Sequence, residues 1–323
     1  MEGETIMKMT KKKRVTIIVS IVLAILLVGG SIGLYSLAVS IYDGSFNYRC
    51  TTDEDISFDI SEFPEMTRQR HTFTSNNGQM LVGYLYEHTD PAVEKKAVIV
   101  FAHGLGAGGQ TGYMDMFNYM TAQGYYVFAY DATANDESEG DVIGGLPQGF
   151  IDLDHAIEYA YTIDEIKDMP FVLVGYSWGG LSVVNALNYH PEVKAVVSMA
   201  GWNKSMDLIE YRGCQMVGGV AKLLLPFASI HEYMMYGDYA FSTGVKGLAN
   251  SDCPVLIVHG EQDDTIPISY GYETYYEKFG ESERFTYKKY DDRDHSLLDN
   301  NDGTRDFELM KEVVDFLDKS LES

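Results

Sequence analysis

The stretch Gly175-Tyr176-Ser177-Trp178-Gly179 constrains this chain more than any other. It follows an apolar run, Phe171-Val172-Leu173-Val174, and leads into a helical pattern over residues 178–190. A serine with glycines two residues to either side, set between a strand and a helix, has the context of a nucleophile elbow. The turn there is so tight that the flanking residues must be tiny, and Gly175 and Gly179 meet that need. The serine hydroxyl is then pushed into a cleft. The rest of the chain can be searched for the other parts such a serine requires.

The pattern around the elbow is a regular one. Residues 68–74 and 79–86 read as two strands joined through Asn76-Asn77-Gly78, a good hairpin turn. Apolar strands and helical segments then alternate. The predicted strands are 97–102, 125–130, 171–174, 195–199, 254–258 and 284–290. Several are continuous apolar runs, as expected for strands covered on both faces. Phe150, Leu153, Ile157, Ala160 and Tyr161 keep helical spacing, as do Phe307, Met310, Val313, Val314, Leu317 and Leu321. A hairpin followed by repeated strand–helix units predicts a mostly parallel sheet with helices on both faces. About 50 residues, 202–251, interrupt this rhythm between two strands that should be neighbours. They are rich in Tyr, Met, Leu and Gly. They read either as an inserted cap suited to an oily acyl group or as plain core filling.

A serine hydroxyl is a poor nucleophile until a base takes its proton, and the base is usually a histidine oriented by a carboxylate. After a strand–elbow–helix, the chain order is serine, acid, histidine. Of eight histidines, His295 alone follows both the elbow and the candidate acids, just past the last strand. The acid's best address is the loop His259-Gly260-Glu261-Gln262-Asp263-Asp264-Thr265-Ile266-Pro267. Asp263 and Asp264 both qualify by position, and Asp264 also suits a turn or cap. An oxyanion hole needs two backbone N–H groups. Trp178, next after the serine, supplies one. Leu105 in His103-Gly104-Leu105-Gly106-Ala107-Gly108-Gly109 is the candidate for the other. That glycine loop lacks the lysine and spacing of a phosphate loop. No metal site is expected, since Asp291, Asp292, Asp294 and Asp299 fail the calcium-loop spacing. The chemistry asks for no cofactor.

The N-terminus is a different object. Residues 15–42 are 28 residues without a charge. As a helix they would extend about 42 Å, against roughly 30 Å of hydrocarbon. Lys8, Lys11, Lys12, Lys13 and Arg14 precede the run, and Asp43, Asp53, Glu54 and Asp55 follow it. The basic flank should stay in the cytoplasm, so the rest should be translocated. A cleaved signal peptide, with Ala38-Val39-Ser40 as its small-residue site, is the rival reading. The run is long for a signal segment, which favours an uncleaved anchor. The expected organisation is a basic tip at 1–14, an anchor at 15–42, a linker at 43–66 and a catalytic domain at 67–323, with the cap at about 202–251.

The formal net charge of −24 argues against a nucleic-acid partner, because phosphate contacts need clustered Lys and Arg. Residues 1–42 carry +3, leaving −27 for the remainder. That acidic remainder should be repelled by anionic lipid headgroups except where the anchor holds it. Cys50, Cys214 and Cys253 are scattered, with no C-x-x-C unit. One bridge is open to them, and the odd count leaves at least one thiol free.

Over residues 68 to 320 the chain resembles the α/β-hydrolases. The resemblance rests on His103-Gly104-Leu105-Gly106, the serine elbow, the segment from His259 to Pro267, and Asp294-His295, in that order. The third is similar to the family's H-G-x-x-D-x-x-V-P segment, which implies Asp263 as the acid. The stretch from Tyr130 to Gly140 resembles the D-x-x-G-x-G-x-S-x-G loop of the monoglyceride-lipase and serine-aminopeptidase-like branch. Alanine replaces its first glycine, at 134, and glutamate is read in place of its second, beside 137. The resemblance implies an α/β-hydrolase fold with an inserted cap, preceded here by a transmembrane helix. It implies a serine hydrolase in which Ser177 attacks an acyl carbonyl, His295 takes its proton, Asp263 orients His295, and Leu105 and Trp178 hold the oxyanion. A small acyl compound, an ester such as a lipid-derived one, is the expected substrate. Peptidase or thioesterase chemistry on the same fold, and a non-catalytic binding module, are the alternatives.

Overall fold

A computed structural model describes residues 11–106 and 108–322. Lys8 and the rest of the basic tip before Lys11, Ala107 of the glycine loop, and Ser323 lie outside the described residues. The strands are β1 (Met66–Thr74), β2 (Met80–His88), β3 (Ala97–Ala102), β4 (Tyr125–Asp131), β5 (Phe171–Tyr176), β6 (Ala195–Met199), β7 (Val255–Gly260) and β8 (Phe285–Tyr290). They form one eight-stranded sheet in the order β1-β2-β4-β3-β5-β6-β7-β8. The β1–β2 hairpin pairs antiparallel with itself and with β4. From β4 to β8 every pairing is parallel.

Both faces are covered. Side chains alternate along a strand, so Val98 and Val100 enter one core while Ile99 and Phe101 enter the other. The first core takes Phe150, Leu153 and Ile157 of α3 (Pro147–Ala160) and Leu181, Val183 and Val184 of α4 (Trp178–Ala186). The second takes Met116, Phe117 and Met120 of α2 (Met114–Ala122) and Met310, Val313 and Leu317 of α9 (Phe307–Leu321). Each such large apolar side chain, fully buried, contributes about 1.5–3 kcal/mol of transfer free energy. This two-faced burial is why the strands read as unbroken apolar runs. α4 stops at Ala186, short of the expected residue 190, and the chain turns through His190 instead.

The chain leaves β3 toward β4 on one side of the sheet, whereas β5 lies on the other. This reversal opens a crevice at the carboxyl ends of β3 and β5, the usual place for ligands in such sheets.

Residues 202–251 divide in two. α5 (Ser205–Val217) and α6 (Leu225–Tyr236) are inserted after β6 with few of their side chains buried, the arrangement expected of a cap, and these two are termed the cap helices. α7 (Gly244–Asn250) belongs to the domain instead. It sits against α4, with Leu248 fully buried in the first core, and serves as the crossover helix into β7. α8 (Tyr272–Phe279) carries the chain on to β8.

The N-terminal helix α1 (Lys11–Phe46) extends beyond the expected 15–42 at both ends, and it is long and apolar enough to cross a membrane. Residues 15–34 are exposed all round, whereas Ala38, Tyr42 and Phe46 are buried, so its last turns dock on the domain. The segment expected as a linker also packs. Arg49 donates to the carbonyls of Asp136 and Ser138 at 2.8 and 2.9 Å, and Cys50 is buried beside Asn135. These contacts are between residues about 85 apart in sequence, which is why local patterning does not show them. All three cysteines are free thiols, so the open disulfide is not formed.

Candidate active site

Ser177 lies between β5 and α4 with φ 53° and ψ −114°. This is a left-handed backbone that a non-glycine residue adopts at a cost of order 1–3 kcal/mol. The surroundings enforce it. The Ser177 amide donates to the carbonyl of Met199 at 2.8 Å. A Cβ on Gly179 would lie 1.8 Å from the Ala102 carbonyl oxygen, and one on Gly175 would lie 2.2 Å from that of Gly179. Strand β3 and helix α4 therefore approach as closely as backbone allows. Ser177 is 8% exposed, at the floor of the crevice.

The other candidate residues converge on it from separate strand ends. His295, in the loop after β8, has Nε2 2.8 Å from Ser177 Oγ and Nδ1 2.7 Å from Asp263 Oδ2. Asp263 follows β7 and is buried. Its Oδ1 accepts the amides of Thr265 and Ile266 at 2.9 and 2.7 Å. Burial pushes its carboxyl up, but hydrogen bonds from His259, His295 and the Ile266 amide outweigh this and bring it down to about 2. It is therefore a carboxylate over the whole neutral range. Asp264 is exposed, with its carbonyl accepting from Tyr211, and Glu261 pairs with Lys289 at 2.9 Å. Of the three acids in that loop, Asp263 is the one in contact with His295.

The Trp178 amide is the first of α4. First-turn amides have no intrahelical acceptor and point out of the helix N-terminus. Leu105 follows Gly104, where an added Cβ would sit 3.5 Å from Ser177 Cβ, so the glycine loop abuts the serine. Supports for this loop come from residues the sequence reading does not single out. The Gly104 amide donates to Tyr113 Oη at 3.1 Å. His103 is buried; its Nδ1 donates to the Gly104 carbonyl at 2.8 Å, and its Nε2 accepts the Ala132 amide at 3.0 Å. These partners require the neutral ring, and burial favours it by lowering the imidazole's pKa. Tyr176 Oη donates to the His295 carbonyl at 2.7 Å, steadying the histidine loop. His259 is fully buried, with Nε2 2.9 Å from the Ile266 carbonyl and 3.3 Å from Asp263 Oδ2. His103, Tyr176 and His259 lie inside motifs named above, which do not state these supporting roles; Tyr113 lies outside every motif.

The loop after β4 corrects a detail of the sequence reading. The left-handed residues are Ala134 (φ 59°) and Asp136 (φ 36°), so the acid in the second glycine position is Asp136, not Glu137. Aspartate tolerates that backbone better than most residues. Its carboxylate accepts the Thr52 amide at 2.6 Å and the Gly109 amide at 2.9 Å, tying the segment after α1 to the glycine loop.

Beside Leu105 lies an apolar cavity of about 350 Å³, between the end of α1, Leu146 and the cap helices. Trp178 Nε1 donates to the Leu146 carbonyl at 2.8 Å, so one wall of the cavity is bound to the residue after the serine.

With this geometry in view, the chain can be compared with known proteins. A family model described as alpha/beta hydrolase fold matches residues 97–213. The uncharacterized protein YfhR of Escherichia coli (strain K12) is 24% identical over 208 residues, 63% of this chain and 66% of that protein. The chain thus matches just under two thirds of that relative's length. Among solved structures, the Pyrococcus furiosus esterase Pf2001 is similar with a TM-score of 0.64 at 15% identity. That match covers 84% of this chain and 97% of the esterase. The Pyrococcus horikoshii acylaminoacyl peptidase gives a TM-score of 0.62 at 18% identity, over 81% of this chain and 42% of the peptidase.

Proposed function

We propose that this chain, which has the α/β-hydrolase fold, is a membrane-anchored serine hydrolase that cleaves carboxylic esters of apolar acyl groups. One observation carries the reading. It is the continuous relay from Ser177 Oγ through His295 to the Asp263 carboxylate, at 2.8 and 2.7 Å.

The chemistry follows from that relay. Ser177 Oγ bonds to the acyl carbon while its proton passes to His295 Nε2. The carbonyl oxygen becomes negative and is held by the Leu105 and Trp178 N–H groups. The bond to the leaving oxygen breaks as His295 returns the proton to it, and an alcohol departs. Water then repeats the sequence on the acyl-enzyme, releasing the acid and restoring Ser177. Asp263 stays ionised throughout and stabilises the imidazolium formed at each step.

Preference for an ester is supported by the apolar cavity against Leu105 and by the esterase with the same fold. The basic residues before α1 and the acidic ones after it support a cytoplasmic N-terminus in a cell membrane, with the domain on the outer side. The test is direct. Wild-type protein should react with a fluorophosphonate probe and hydrolyse p-nitrophenyl esters. Ser177→Ala should lower turnover by on the order of 10⁶ and abolish labelling. Near-normal cleavage by that variant overturns the assignment. A panel of matched ester, thioester and amide substrates separates esterase from thioesterase and peptidase, with the ester expected to be fastest.

A further inference from the structure

The protected positions of α1 begin only at Tyr35, which is half-buried, and continue as the buried Ala38, Tyr42 and Phe46. Together they make a stripe at helical spacing along the last three turns. The exposed part, residues 15–34, is 20 residues and spans about 30 Å, one hydrocarbon thickness. The docked part is built into the cap. Tyr42 Oη donates to Glu232 Oε1 of α6 at 2.7 Å, and Ser205 Oγ of α5 donates to the same oxygen at 2.5 Å. The Tyr35 ring meets His231 edge-on, and His231 Nε2 lies 2.8 Å from Asp43 Oδ1.

The apolar cavity lies at this joint. Ala38, Ile41 and Tyr42 of α1 are among its lining, with Leu208 and Ala228 of the cap helices, and so is Leu105, the residue after the Gly104 that abuts Ser177. Its volume of about 350 Å³ falls in the range of ligand pockets, roughly 300–1,000 Å³. Among the described residues, Arg212 is the one charged side chain lining it, and it is exposed. Met216 and Val217, also on its wall, are 76% and 56% exposed, and Val220 and Leu223 nearby are 64% and 63% exposed. A solvated protein seldom leaves so continuous an apolar rim, and such rims mark membrane or ligand contacts.

We propose that the end of α1 is a wall of the acyl-chain pocket, so that the membrane helix helps set which acyl length Ser177 accepts. The occupant is the apolar chain of a membrane-derived lipid ester, entering over the cap rim with its carbonyl toward Leu105. The inference rests on the acyl-transfer reading of Ser177. Processing at Ala38-Val39-Ser40 would remove Ala38 and cut the wall, so the helix must stay attached.

The test uses the full chain in detergent micelles, with p-nitrophenyl acetate and p-nitrophenyl decanoate. Ala38→Trp fills the pocket from the helix side. It should lower the decanoate-to-acetate ratio of kcat/KM at least tenfold, in line with the cost of losing a few methylene contacts. Leu26→Trp, in the exposed span, should keep the wild-type ratio. Fluorophosphonate labelling reports whether each variant retains a working serine. A labelled Ala38→Trp with an unchanged ratio overturns the proposal and leaves the hydrolase reading standing. If Ala38→Trp does not label, Ile41→Ala carries the test by removing bulk. A shift of threefold or more in its ratio supports the proposal, and a wild-type ratio overturns it. Wild-type protein that neither labels nor cleaves either ester removes both the proposal and the reading beneath it.

Discussion

Asp263 Oδ2 faces His295 Nδ1, which donates to it, while the other carboxylate oxygen accepts two backbone amides. This arrangement fixes the tautomer, because with Nδ1 protonated the Nε2 lone pair is left to receive the Ser177 proton. In Asp263→Asn the amide oxygen would keep the two backbone donors, and an NH₂ group would then face Nδ1. The ring would have to present a lone pair there and carry its proton on Nε2, toward the serine. Turnover should fall on the order of 10⁴ with the fold retained, as read by p-nitrophenyl ester kinetics beside a circular dichroism spectrum. Asp264→Asn, at an exposed neighbour, should stay within twofold of wild type. A loss in Asp264→Asn matching that of Asp263→Asn would mean that the acid is misassigned. The same carboxylate affects stability at low pH. Its folded pKa, about 2, lies below the ordinary aspartate value near 3.9. Its contribution is therefore complete above about pH 4 and is lost as pH falls from there through 2.

The glycine loop after β3 has little secondary structure of its own, and its shape is held by side chains from neighbouring elements. Tyr113 is the clearest case, since its hydroxyl accepts the Gly104 amide one residue before Leu105. Tyr113→Phe leaves that buried amide without its acceptor, a penalty of about 1–3 kcal/mol that the loop can relieve only by moving. Its kcat should drop roughly 10- to 100-fold with little change in KM, below the 10²–10³ expected for outright loss of an oxyanion donor. Steady-state kinetics with wild-type kcat would show that Tyr113 does not position the loop. Such supports mark the limit of what was legible in the chain. Ala97–Ala102 and Ala195–Met199 were readable to the residue, because strands buried on both faces are apolar throughout. Chain order and strand ends pointed to Ser177, to His295 and to the pair Asp263 and Asp264; the family resemblance chose Asp263, and it is Asp263 that the fold brings to His295. Tyr113, Tyr176 and His259 were not readable as supports, because each acts through a single hydrogen bond to backbone or carboxylate, which leaves no repeating pattern. The docking face of α1 was hidden for the opposite reason. In a run where every residue is apolar, the side that meets protein looks the same as the side that meets lipid. Only the structure separates Tyr35, Ala38, Tyr42 and Phe46 from the rest.

Helix α1 meets α5 and α6 at Glu232, which is fully buried and carries one oxygen, Oε2, without a hydrogen-bond partner among the described residues. Facing it are Tyr42 from α1, Ser205 from α5, and His231 and Tyr236 from its own helix, with Asp43 of α1 behind them, paired to His231. Burial raises its carboxyl to about 7, while the hydrogen bonds from Ser205 and Tyr42 and the His231 charge pull the other way without cancelling it. In the unfolded chain the same group titrates near 4.3. The folded state therefore binds the extra proton between these values. Stability from this group is complete below about pH 4.3 and is lost as pH rises through about 7. The loss amounts to roughly 4 kcal/mol at most, or several degrees in Tm for a domain of this size. Glu232→Gln mimics the protonated form and keeps an oxygen for Tyr42 and Ser205. It should melt close to wild type at pH 4.5 and several degrees above it at pH 8, in thermal scans of the full chain in detergent. A constant gap across that range would mean that Glu232 does not change charge in the fold. Tyr42→Phe should remove the link from the helix side and lower Tm at every pH, because it leaves the buried carboxyl short of a donor. A joint of this kind would make attachment of the helix to the cap firmer in mildly acidic surroundings than in alkaline ones. The wall that α1 supplies to the pocket beside Leu105 would then be most firmly held in mild acid.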